Sequence, residues 1–101
     1  MEAKRKRSLL AGIDGQAARL AQAGATSAQR GWQRIAWALA ALKNQPMDGR
    51  EIGYCRRLER RVMALRDATG SDQPQTLLVH RLTLTRSDCV LWQIYLRRAP
   101  R

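Results

Sequence analysis

Between Ser8 and Ala23 the apolar residues Leu9, Leu10, Ile13, Ala17, Leu20 and Ala21 recur at three- and four-residue steps. This is the stripe of an amphipathic helix, weakened by Gly12 and Gly15 and ended by Gly24. A second helix is predicted from a Thr26 or Ser27 cap, with Gln29 as the return half of a capping box. Its buried face is Trp32, Ile35, Ala36, Leu39 and Leu42. Trp37 and the alanines widen that band, which predicts a central helix touched from two sides. Asp48 and Glu51 have capping-box spacing, and Ile52, Cys55, Leu58, Val62 and Leu65 continue as the stripe of a third helix to Gly70.

Beyond the turn-rich residues 70–74 the pattern reads as alternating. Leu78, His80, Leu82 and Leu84 fall on one face, and Leu77, Val79, Arg81, Thr83 and Thr85 on the other. Arg86, Ser87 and Asp88 fit a hairpin turn, and Val90, Trp92, Ile94 and Leu96 continue the alternation on a returning strand. That register sets Leu84 beside Val90 and Leu82 beside Trp92, keeping the apolar sides together. A competing reading makes Ser87 or Asp88 the cap of a helix over 89–98, with apolar residues on all its sides. The pattern thus predicts an α+β fold: three helices followed by a C-terminal two-stranded antiparallel β-hairpin. Residues 1–7 read as a basic N-terminal arm, 8–97 as one compact domain and 98–101 as a basic tail.

Charge narrows the partner. Nineteen Lys and Arg stand against eight Asp and Glu in 101 residues, a formal charge of +11. Such a field concentrates anions, with nucleic acid first, then acidic proteins and anionic membrane. All the basic residues except Lys4, Lys6 and Lys43 are Arg, whose planar fork pairs with phosphate or a guanine edge. GC-rich coding also inflates Arg together with Ala, but it does not account for the shortage of acids.

Three helices and a hairpin follow the order of a winged helix-turn-helix domain. The run WQRIAWALAALKNQPMDGREIGYCRRLERRVMALRDATG resembles the middle of that family, and the likeness extends over residues 28–97. In it, PMDGREI would open the second helix, the Arg-rich segment ending ALRDATG would be the recognition helix, and residues 77–97 would be the wing. Gly53 carries the decision. It is either a shortened turn between helices at 48–52 and 54–69, or a glycine within one continuous helix.

The candidate nucleic-acid contacts are Arg50, Arg56, Arg57, Arg60 and Arg61 on the third helix, Arg81 and Arg86 on the hairpin, and Lys4, Arg5, Lys6 and Arg7 on the arm. The same arginines also fit a solvated face. Trp32, Trp37 and Trp92 read as core, which leaves Tyr54 and Tyr95 as the candidate stacking platforms that RNA would need.

The sequence offers no catalytic constellation. His80 is the single histidine and reads as a packing residue, Cys55 and Cys89 as reduced thiols, and no zinc site, other metal site or cofactor motif is present. No signal peptide or membrane span is read, which places the chain in the cytoplasm. The expected function is a small, non-enzymatic protein binding duplex DNA as a transcriptional or mobile-element regulator. The alternative is a phage- or plasmid-type inhibitor or secretion accessory factor docking its basic helix on an acidic protein. Leu77, Val79, Leu91 and Tyr95, on the second face of the hairpin, also allow a homodimer.

Overall fold

The computed structural model describes residues 2–23, 28–69 and 75–98, and every element in them is helical. The helices are α1 (Glu2–Ala23), α2 (Ala28–Lys43), α3 (Gly49–Thr69) and α4 (Gln75–Arg98). Each packs on two neighbours, α1 on α2 and α4, and α3 on α2 and α4, so that they close into a bundle. Its extents are 45 × 19 × 18 Å. Tyr95, late in α4, meets Asp48 at the start of α3, and Arg81 meets Ala64, so these two neighbours run antiparallel.

The hairpin expected over 77–97 is α4, and no strand occurs among the described residues. Apart from Asp88, which is buried in its ion pair with Arg61, the buried positions of α4 are Leu78, Leu82, Thr85, Cys89, Trp92 and Leu96, at alternating steps of four and three. That is a heptad seam. Leu78, Leu82, Trp92 and Leu96 satisfy a period of two as well, so they cannot separate helix from strand. Thr85 and Cys89 can: both are fully buried, while Leu84 is only half-buried and Val90, its expected cross-strand partner, is exposed. The β-branched threonines are accommodated because Thr83 and Thr85 donate their hydroxyls to the carbonyls of Val79 and Arg81 one turn back, both at 2.9 Å. His80, expected on the apolar side of a strand, is exposed.

Gly53 lies inside α3, so there is no helix-turn-helix turn at that point. The capping box does form: Glu51 N–H donates to Asp48 Oδ1 at 2.8 Å, and Asp48 N–H reaches Glu51 Oε1 at 3.4 Å. Glu51 then occupies the inner position expected for Ile52, which is exposed. Gly31 is needed where α2 crosses α1, since a Cβ there would lie 2.6 Å from Leu20 Cγ.

Lys4 to Arg7, expected as a solvated arm, belong to the first turns of α1. Lys6 is 5 % exposed and Glu51 4 % exposed. The Lys6 ammonium donates to Glu51 Oε1 at 2.9 Å and Oε2 at 2.7 Å, and to the Pro46 carbonyl at 2.9 Å. Trp92 Nε1 donates to Glu51 Oε2 at 3.0 Å. The stop at Gly24, the caps Thr26 and Ser27, the turn residues 70–74 and the tail residues 99–101 lie outside the described residues.

Two expectations follow. A Cβ at Gly53 meets nothing within 4 Å, so Gly53→Ala should raise the melting temperature by roughly 2–6 °C by removing a mid-helix glycine. Lys6→Met should lower stability by about 3–5 kcal/mol, because it strands a buried carboxylate. The exposed neighbour serves as control: Lys4→Met should move the urea midpoint little, and equal effects of the two would contradict the buried pair.

Candidate nucleic-acid interface

Every acidic side chain that the structure describes is tied to a partner. Asp14 accepts from Arg86 at 2.7 Å, joining α1 to α4, and Asp88 accepts from Arg61 at 3.0 Å, joining α4 to α3. Glu59 pairs with Lys43 across α2 and α3, and this pairing raises the lysine's pKa. Asp67 lies 3.9 Å from Arg66. Asp48 accepts the Tyr95 hydroxyl at 2.5 Å, which holds the carboxyl below its ordinary pKa and pushes the phenol above its own. Glu51 is taken up by Lys6. Among the described residues, the exposed cationic side chains outside these pairs are all arginine except Lys4.

These ties divide the expected contact residues. Lys6, Arg61 and Arg86 are held in ion pairs, and Arg81 Nη1 donates to the Ala64 carbonyl at 2.7 Å. They staple helices together. Arg7 is half-buried, with its Nε enclosed and without a hydrogen-bond partner among the described residues. Lys4 and Arg5 are exposed on α1.

Arg50, Arg56, Arg57 and Arg60 are all exposed, on the side of α3 opposite Cys55, Leu58, Val62 and Leu65. Arg50, Gly53, Arg57 and Arg60 follow one another at steps of three and four, and Arg56 lies one turn before Arg60, so about 15 Å of helix carries the row. Gly53 leaves the row without an intervening side chain. The guanidinium groups of Arg50, Arg56 and Arg60 make no ion pair or hydrogen bond among the described residues. Arg57 lies over the Tyr54 ring, 5.3 Å from its centroid, so its guanidinium is braced while its edge stays open.

The aromatic residues exchange roles relative to the sequence reading. Tyr54 stacks on Trp92 at 6.4 Å and meets Tyr95 at 5.5 Å, so both tyrosines are half-buried and committed to packing. Trp92 is fully buried, and Trp32 donates Nε1 to the Val62 carbonyl at 3.0 Å. Trp37, expected in the core, is 68 % exposed. The inner stripe of α2 is Ile35, Ala38, Leu39 and Leu42, and Trp37 falls outside it. A signal was present: Arg30, Gln33 and Arg34 stand seven, four and three residues before Trp37, so its own side of the helix is polar.

Among the described residues no three His, Cys, Asp or Glu side chains are placed to hold a metal ion, and no helix is long and apolar enough to cross a membrane. Cys55 and Cys89 are free thiols in the core. Burial pushes Cys55 up and Cys89 up to about 12, so neither offers a thiolate at neutral pH. Iodoacetamide at pH 8 should therefore leave Cys89 unmodified in the folded protein and alkylate it after unfolding in urea. Mass spectrometry reads the difference, and rapid native alkylation of Cys89 would contradict its enclosure. No family model, curated protein sequence or solved structure matches this chain at a significant level.

Proposed function

We propose that the protein binds duplex DNA through its phosphate backbone, using the outer face of α3 as the contact surface. The supporting observation is the row of Arg50, Arg56, Arg57 and Arg60, exposed together while the described acids are engaged elsewhere. Guanidinium groups pair with phosphate in bidentate geometry, and releasing counterions from DNA supplies the free energy. The net charge of +11 brings the chain to the polyanion before any contact forms. Exposed Lys4 and Arg5 add further positive charge at the start of α1. With no wing and no turn at Gly53, this reading rests on charge and assigns no base recognition.

The test is a mobility shift on random duplex DNA over a salt series, comparing the protein with R50A/R56A/R57A/R60A. Three to four phosphate contacts give a slope of log K against log salt of about −3. The quadruple variant should bind at least about tenfold more weakly with a shallower slope. Its melting curve should stay close to that of the parent, because these side chains are exposed. Absence of binding at low salt, or equal binding by the variant, would overturn the proposal; the first result would favour an acidic protein partner.

A further inference from the structure

The outer face of α2 presents a second arrangement. Trp37, the most exposed large apolar side chain among the described residues, borders a shallow concavity that it forms with Arg30, Gln33 and Arg34. Arg30 and Arg34 are exposed, and neither their side chains nor that of Trp37 make a hydrogen bond, ion pair or ring contact among the described residues. The helix from Ala28 to Lys43 contains no acidic residue. The two guanidinium-bearing positions lie about 10 Å and 4.5 Å along the axis from the backbone position of Trp37, towards the start of the helix.

We infer that this face is a stacking site for an unpaired nucleobase, with Trp37 as the platform and Arg30 and Arg34 taking the phosphates that flank the base. An indole open to water gains by covering its face, and every nucleobase offers a π-surface of matching size. The guanidinium groups supply the charge complement that an apolar partner would not need. A duplex hides its base faces in the stack, so this site takes a single strand or an unpaired end, unlike the row on α3. The inference rests on the chain being a nucleic-acid binder, and deepens that reading by naming a second substrate form.

The probe is a short oligothymidylate, followed by intrinsic tryptophan fluorescence and by anisotropy of a labelled strand. Trp92 is fully buried and Trp32 is half-buried and hydrogen-bonded, so stacking is expected to quench Trp37 selectively. Trp37→Leu should abolish the quench and weaken binding roughly 5- to 150-fold. Trp37→Phe, which keeps a ring, should recover much of the affinity. R30A/R34A should keep the quench at low salt and flatten the salt dependence.

Binding by Trp37→Leu equal to the parent, with a melting curve showing a folded protein, would overturn the stacking site. So would binding without quenching. R50A/R56A/R57A/R60A separates the two readings: retained quenching by oligothymidylate alongside lost duplex binding supports both surfaces. If that variant binds duplex as the parent does while Trp37→Leu loses the single strand, the α3 reading falls and the stacking site stands. Loss of neither duplex nor single-strand binding in the respective variants removes both.

Discussion

Glu51 buries a carboxylate inside the bundle, where an unmatched charge would cost several kcal/mol, so its partners must converge on one point. They come from every part of the surrounding structure: Lys6 from α1, Trp92 from α4, the Asp48 backbone at the cap of α3, and the Pro46 carbonyl held by the same ammonium. Apolar packing tolerates small slides between helices, whereas this set of hydrogen bonds does not. Three helices are thereby fixed in register at one end. The rotation of α3 about its axis follows, because Glu51 turned inward on the Cys55–Leu65 side leaves Arg56 and Arg60 turned outward.

The economy of charge has the same origin. With few acids available, those whose side chains are described bind helix to helix or cap a helix, and only Asp67 pairs with its own chain neighbour. Staples between exposed groups add little individually, but they remove acids from the places where they would neutralise the outer arginines. The result is a bundle whose inside is electrically balanced and whose outside is not. Self-repulsion among the outer guanidinium groups is the cost, and a bound polyanion would relieve it.

Three of the four helices were legible because their apolar residues keep one period. α4 was not, since Leu78, Leu82, Trp92 and Leu96 fit a strand and a helix equally. The deciding residues, Thr85 and Cys89, are small and β-branched or sulfur-bearing, types that carry little directional signal. The arm was misread for a related reason. A run of Lys4, Arg5, Lys6 and Arg7 looks solvated until Glu51, forty-five residues later, is brought beside Lys6. Of the expected contact residues, the exposure of the α3 row was legible from its own helix, while Arg61, Arg81 and Arg86 are tied up by partners that only the tertiary fold supplies.

The two outer faces differ in what they can hold. On α3 the nearest aromatic, Tyr54, is spent on Trp92 and Tyr95, so the row offers directed charge and no open ring. Its energetics should be those of counterion release, steep in salt and indifferent to base. On α2 the indole is open and the charges number two, so a larger share of binding there comes from a contact that salt does not screen. Under the two proposals, duplex and unpaired strand are held through interactions of different physical kind. The acid-free sequence of α2 and the committed ring of Tyr54 on α3 are what keep the two from being interchangeable.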